Sequence, residues 1–319
     1  MNKTLVVLDS SAFSNSACML NLFRTVVQGY TSKLQNNDVE FGTAFHKFRK
    51  IFRDKGENGL AEGIKEAKDY FVNTPMIIKS NKTYLTSTFL MRVCLEYAEK
   101  YNKSLFNVIR IEKAIGEYEA LLELRFAFPY YVDDEMEILM AGTIDELGKH
   151  NNGIVCICDA KTTSMWKIRD YFNSYELKCQ LRFYKWALLK YATMYPNSFI
   201  ADLCKNEIGC FIDGIFYKGA EGDIEYKWSD VMLFQDDPGM VLMDTLIYSK
   251  VSRLITAIKN WRRERMTPLR EGILINACEN PFGPCRYSKV CSAVDNTTRD
   301  VMLEYNFIQR PYNPMNHGE

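Results

Sequence analysis

No apolar run in this sequence approaches the roughly 18–20 residues that a membrane-spanning helix needs. No excess of one charge is present either, since 40 Lys and Arg are balanced by 40 Asp and Glu. That balance removes the bulk basic charge that marks many nucleic-acid binders, although a local patch can do the same work. The first residues, MNKTLVVLDSSAF, lack the apolar core of a signal peptide. No internal repeat, low-complexity tract or obvious linker interrupts the chain. These absences lead to the expectation of a cytoplasmic protein without membrane contact. The chain does have ten cysteines in its 319 residues. A disulfide framework is not expected in that compartment, which leaves core thiols and metal ligands. With 47% hydrophobic and 25% charged residues, the chain is ordinary for a globular protein and long enough to bury a full core.

Periodicity divides the chain. Residues 10–30 follow a short N-terminal strand and read as a helix. Residues 40–53, 59–72 and 87–101 read as three more. Between 108 and 161 the period becomes strand-like, through NVIRIEKAI, EALLELRFAFPYYV, EMEILMAGTIDEL and GIVCICDAKTT. A strong helix is expected over 174–195, a hairpin over 207–217 and 222–228, and a long helix over 238–265. A Cys-bearing loop follows, then a polar tail from about 294. The pattern predicts one α/β domain with helices at both ends of a mainly antiparallel central sheet.

The run GIVCICDAKTT (153–163) poses a specific question. Its first six residues suit a buried strand, yet Asp159 and Lys161 follow two apart on one face. A hairpin centred on Asn151 places Asp145 opposite Ile157, hence diagonal to Asp159 on the same face. Diagonal neighbours lie roughly 7–8 Å apart, close enough to share one divalent cation. Two convergent carboxylates repel unless a cation separates them. A lysine on that face can orient a water and steady negative charge on a phosphate. That is the logic of metal-assisted phosphodiester hydrolysis. By themselves the three residues also suit a salt bridge at a strand end.

Further signals stand in FGTAFHKF (41–48), with Gly42 and His46, and in QLRFY (180–184), with Gln180 and Tyr184 on one helix face. Glu123 lies on the strand before the hairpin. Each alone has an ordinary structural reading. In order, Gly42/His46, Gly142/Asp145, Asp159/Lys161/Thr162 and Gln180/Tyr184 resemble the G-x-x-x-H, G-x-I-D, D-x-K-T and Q-x-x-x-Y motifs of the RecB-like branch of the PD-(D/E)XK nucleases. The resemblance spans roughly residues 10–295. It implies a restriction-endonuclease-like α/β core with a mixed central sheet, a helical insertion over about 47–105, and a Cys-rich loop closing on the N-terminal helix. One nuclease domain over 1–295 and a polar tail over 296–319 are expected. The resemblance further implies that His46, Asp145, Asp159 and the Ala160 carbonyl hold Mg²⁺ or Mn²⁺. Lys161 would activate or position the attacking water, and Gln180 and Tyr184 would contact the DNA strand or order the site. Glu123 matches an acidic position of the family.

NACENPFGPCRYSKVC (276–291) groups Cys278, Cys285 and Cys291 in a loop suited to a soft metal. Iron–sulfur members of the same branch, among them CRISPR-associated exonucleases and the AddB nuclease domain, use one cysteine before the core and three after it. The resemblance therefore implies a [4Fe–4S] cluster on Cys18, Cys278, Cys285 and Cys291, with Zn²⁺ as the chemical alternative. The C-terminal spacing here is C-x6-C-x5-C, where the relatives commonly show C-x-x-C-x5-C. Cys94, Cys156, Cys158, Cys179, Cys204 and Cys210 read as core thiols.

Two basic runs are candidate phosphate contacts: Lys47, Arg49, Lys50 and Arg53, and then Arg262, Arg263, Arg265 and Arg270. Solvated helix faces would look the same. Tyr171, Phe172 and Tyr175 suit base stacking or the core equally. The functional expectation is a metal-dependent DNA exonuclease, acting on single-stranded or end-containing DNA in recombination, repair or spacer acquisition, with a phage origin among the expectations. Recombination or CRISPR-adaptation proteins would be its partners. A structure-specific endonuclease of the same fold and a catalytically silent DNA-binding protein are the alternatives.

Overall fold

The computed structural model describes every residue except 1–2, 15–17, 34–36, 75–81, 102–104, 115–116, 165–166, 219–222, 235–237, 269–277, 281–282, 294 and 313–319. The chain opens with β1 (Thr4–Leu8), α1 (Ser10–Ser14), α2 (Met19–Val26) and β2 (Tyr30–Ser32). Three helices follow: α3 (Asn37–Lys55), α4 (Leu60–Asn73) and α5 (Ser87–Lys100). Next come β3 (Phe106–Val108), β4 (Arg110–Ala114), β5 (Glu117–Ala120), β6 (Leu122–Val132), β7 (Met136–His150) and β8 (Val155–Thr163). Helices α6 (Ile168–Leu177), α7 (Cys179–Met194) and α8 (Phe199–Leu203) lead to β9 (Ile208–Tyr217) and β10 (Ile224–Trp228). The C-terminal part holds α9 (Pro238–Val241), α10 (Met243–Glu264), β11 (Glu279–Asn280), β12 (Gly283–Pro284), α11 (Ser288–Ser292), α12 (Asn296–Asn306) and β13 (Phe307–Gln309).

The architecture is α/β around a mixed sheet in the order β1-β7-β8-β9-β10, with β3 and β6 also paired to β7. Strand β7 is long enough to pair along both halves, with β1 and β6 on its first part and with β8 and β3 near its end. The sheet is mainly antiparallel, as expected, with four antiparallel pairings and two parallel ones, β1 with β7 and β8 with β9. Helices α6 to α8 carry the chain from β8 back to the start of β9, the long crossover that parallel pairing requires. Strand β9 is buried at all its positions, as a strand covered on both faces must be.

Alternate residues of β9 serve two cores. Ile212 and Phe216 join Ile157, Leu181 and Leu254 under α7 and α10. Ile215 and Tyr217 join Phe41, Phe45, Phe48 and Tyr97 under α3, α4 and α5. Helix α3 is specified locally, with Asp38 and Glu40 in its first turn, Arg53 and Lys55 in its last, and Phe41, Phe45, Phe48 and Phe52 on its buried face.

Three elements differ from the sequence pattern. The helix expected over 10–30 is two pieces, α1 and α2, and the chain turns at Gly29 with φ +70°. A Cβ at Gly29 would lie 2.1 Å from the Arg310 carbonyl oxygen, so only glycine admits the C-terminal segment there. The helix expected over 174–195 breaks at Lys178, whose ψ of 142° is extended, and the preceding helix starts at Ile168. The polar tail is partly folded: α12 and β13 bury Leu303 and Phe307, and β13 pairs with β2. A residue pattern that is polar overall concealed two apolar anchors, Leu303 on α12 and Phe307 on β13. Among the described residues, no helix is long and apolar enough to cross a membrane.

Candidate metal centre

Strand pairing decides the site. Glu146 pairs with Cys158 and Lys149 with Val155, so the hairpin is centred on Asn152 rather than Asn151. Each partner moves by two residues, which keeps the faces and sets Asp145 directly across from Asp159 instead of diagonal to it. On the other side, Leu122 pairs with Glu146 and Leu124 with Ile144, which leaves Glu123 opposite Asp145. Glu123 has φ +51°, a left-handed backbone that costs energy for a residue with a side chain. Helix α3 supplies His46, whose Nδ1 lies 3.4 Å from Asp145 Oδ2. His46, Glu123 and Asp145 each offer a ligand atom within 4.8 Å of the others.

Asp159 is 1% exposed. Its Oδ1 accepts from Lys161 Nζ at 2.9 Å and from Gln180 Nε2 at 3.3 Å. Its Oδ2 is buried without a hydrogen bond of good geometry, facing only the Lys161 ammonium 2.8 Å away. Gln180 also donates to the Tyr184 hydroxyl at 3.3 Å, so the α7 pair holds Asp159 from one side. Ala160 donates its N–H to Asp145 Oδ2 at 2.8 Å. Gly142 makes room for Tyr184: a Cβ there would stand 2.8 Å from the Phe126 ring and 3.4 Å from the Tyr184 ring.

The acids divide electrostatically. Burial, reinforced by Asp145, pushes Glu123 up to about 7. Burial also lifts Asp159, which is raised to about 6 by that and Asp145 against the pull of Lys161. For Asp145, burial is outweighed by His46, Lys161 and the Ala160 N–H, and its carboxyl stays below the usual range. Lys161 is held protonated, since Asp159 and Asp145 more than offset its burial. Three carboxyls and an imidazole thus converge with more negative charge than Lys161 neutralises. The donor set of His46, Glu123 and Asp145, an imidazole nitrogen with carboxylate oxygens, fits a divalent cation such as Mg²⁺ or Mn²⁺.

Several sequence-based assignments need correction. Arg49 and Arg53 do not face solvent for phosphate contact. Arg49 is 3% exposed and pairs with Glu146 at 2.7 Å and Asp213 at 2.8 Å. Arg53 binds both carboxylate oxygens of Glu146. Lys47 lies over Tyr70 and 3.9 Å from Glu66, whereas Lys50 is exposed. Arg262 donates to the Glu135 carbonyl, Arg263 lies 4.0 Å from the Glu135 carboxylate, and Arg265 lies over Trp261. Arg262 therefore tacks the end of α10 to the β6–β7 turn, while Arg263 and Arg265 are exposed and remain candidate phosphate contacts. Arg270 lies outside the described residues. Tyr171 and Tyr175 are buried, 3.1 Å apart at their hydroxyls, and belong to the core.

Sequence reasoning undervalued Glu123, whose positive φ leaves no trace in the residue pattern. It missed Lys178, whose ammonium lies 3.6 Å from the Tyr175 ring centre. Burial and the neighbouring Lys161 lower its pKa. No periodic signal marks that residue, because it occupies the break between two helices.

The four cysteines of the chain ends share one neighbourhood. Cys18 caps α2, and the Cys285 N–H donates to the Cys278 carbonyl at 2.8 Å across the β11–β12 turn. Burial raises the Cys285 thiol, and Cys291 and Cys18 add to that effect. Asn21 Nδ2 lies 3.7 Å from Cys285 Sγ and Arg24 Nη1 lies 3.3 Å from Cys291 Sγ. A buried guanidinium aimed at sulfur fits a thiolate centre, because a buried cation requires negative charge beside it. Cys94, Cys156, Cys158 and Cys210 are buried, and Cys179 and Cys204 half-buried, as core thiols should be. No protein-family model matches the chain, and no curated protein matches it in a sequence search.

Proposed function

We propose that the protein is a metal-dependent deoxyribonuclease of the RecB-like PD-(D/E)XK type, with a restriction-endonuclease-like core and exonuclease action on single-stranded or end-containing DNA. One observation carries the reading: His46, Glu123 and Asp145 offer ligand atoms within 4.8 Å of one another, and Asp159, paired with Lys161, stands beside them on the adjacent strand. His46, Glu123, Asp145 and Asp159, with the Ala160 carbonyl, would hold Mg²⁺ or Mn²⁺. A bound divalent ion supplies Lewis-acid polarisation of the phosphoryl oxygen and a more acidic water.

The chain's own residues do the rest. Lys161 stays protonated, and its ammonium orients the attacking water and balances charge developing on the phosphate. Gln180 fixes the Asp159 carboxylate through its amide and the Tyr184 hydroxyl. Tyr184 remains neutral, because burial and Asp159 raise its pKa, and so can donate a hydrogen bond. The cysteine neighbourhood supports a [4Fe–4S] cluster that joins the two chain ends, which suits processing of DNA ends in recombination, repair or spacer acquisition.

The test is a cleavage time course with end-labelled linear single- and double-stranded DNA and circular single-stranded DNA, in Mg²⁺ or Mn²⁺. Wild type is compared with Lys161→Ala. Metal-dependent loss of linear but not circular DNA, abolished by the substitution, is the expected result. Cutting of the circle would make the enzyme an endonuclease. Inactivity of folded, cluster-loaded protein towards every substrate would overturn the enzymatic reading in favour of a silent DNA-binding role.

A further inference from the structure

We propose that Arg24, assisted by Asn21, is the built-in counter-charge of an iron–sulfur cluster on Cys18, Cys278, Cys285 and Cys291 and raises its reduction potential. The inference rests on the cofactor reading above and goes beyond it to residues that are not ligands. Arg24 lies on α2 and is 4% exposed. Burying a guanidinium is costly unless an anion compensates it. Among the described residues, its contacts are Cys291 Sγ at 3.3 Å and the face of Tyr287, 5.3 Å from the ring centre. A neutral thiol is a weak acceptor and a ring face compensates little, whereas a metal-bound thiolate supplies the missing negative charge.

Asn21 stands one turn earlier on the same helix face. Its amide points at Cys285 Sγ, 3.7 Å away, while its carbonyl oxygen accepts from Thr25 Oγ1 at 3.4 Å. The acceptor side is thereby occupied and the donor side faces sulfur. Tyr287 is anchored in turn, stacked on Phe307 with centroids 4.7 Å apart and donating to the Tyr30 carbonyl at 2.9 Å. Two donors, one of them charged, are therefore fixed against two of the four cysteines.

The electrostatic consequence has a definite sign. A [4Fe–4S] cluster with four thiolates is doubly negative when oxidised and triply negative after taking one electron from an external donor. A buried cation and an amide donor at the sulfurs stabilise the reduced form more, which moves the potential up.

The experiment uses anaerobically purified full-length protein. Iron and acid-labile sulfide are quantified, and the midpoint is then measured by dithionite titration followed by electron paramagnetic resonance. Arg24→Met is expected to shift the midpoint to a more negative value. Arg24→Lys should recover most of the wild-type value, Asn21→Leu should give a smaller negative shift, and exposed Lys289→Met little change. Full cluster content with unmoved midpoints in Arg24→Met and Asn21→Leu would overturn the inference and leave the cofactor reading intact. If Arg24→Met loses its cluster, Asn21→Leu decides, and a wild-type midpoint there overturns the inference. Wild-type protein without iron and sulfide would overturn the cofactor reading and this inference together.

Discussion

Helix α3 and strand β7 build two charge clusters side by side, and the two are balanced in opposite ways. At one, His46 and Asp145 meet Glu123 and Asp159, with only Lys161 to offset the acids. At the other, Arg49 and Arg53, one and two turns further along α3, enclose Glu146, the next residue of β7 on its opposite face. Arg49 also reaches Asp213, which accepts from Tyr97 at 3.0 Å. The second cluster carries its own cations and is closed to water. The first is half-open and short of positive charge. A charge-balanced buried network fastens α3 to the sheet, although Asp213 Oδ1 has no hydrogen-bond partner among the described residues, and a cluster short of cations leaves negative charge that a metal ion can balance. The strained backbone at Glu123 belongs to the incomplete cluster, in keeping with strain being retained where function requires it.

The contrast is tested most severely at Arg49. Arg49→Met leaves Glu146 and Asp213 partly uncompensated in the core, and a loss of about 3–5 kcal/mol is expected, read by urea unfolding. Comparable stability in the variant would show that the network is not what fastens α3. At the open cluster the expected response is to metal. Mn²⁺ at about 100 times its dissociation constant should stabilise wild type by about 2.7 kcal/mol, and Asp159→Asn should lose that gain without losing the fold, as thermal melts with and without Mn²⁺ would reveal.

Acidity separates the clusters next. Glu123 at about 7 and Asp159 at about 6 are raised above their unfolded values. The folded, metal-free protein therefore binds more protons than the unfolded chain between roughly pH 4 and pH 7. For these groups stability is present at the acid end of that window and declines as pH rises through it. Urea unfolding at pH 5, 6, 7 and 8 should show this slope, and saturating Mn²⁺ should remove it. The smallest effect belongs to the exposed end of α3. Lys55, 2.7 Å from Glu62, forms a surface pair, and Lys55→Ala should cost no more than about 1 kcal/mol. A larger loss would mean that charge on α3 matters irrespective of burial.

Much of the candidate site was legible. The change from Ile157 to Asp159 and Lys161 in one strand breaks the apolar pattern in view of any reader, and Gln180 and Tyr184 stand four apart on a helix. The face shared by Asp145 and Asp159 followed from parity, even though the hairpin centre was one residue off. Arg49 and Arg53 were misread for a physical reason. A run of basic residues on a helix looks solvated until Glu146 and Asp213 are placed opposite it. The break at Lys178 and the folding of α12 onto the N-terminal segment were similarly hidden. One is a single backbone torsion, and the other depends on residues about 280 positions apart, as in the Gln309 to Gln28 contact.

The sequence by itself determined most of the helices and strands and the residue types able to bind a divalent ion or a thiolate centre, because periodicity and side-chain chemistry are local properties. Only the tertiary structure decided which charges compensate one another. Register placed Glu123 and Asp159 beside Asp145, and helix packing gave Glu146 its arginines and left Arg24 facing Cys291. The energy of a buried charge depends on what lies within a few ångströms of it, and the order of residues along the chain does not contain that distance.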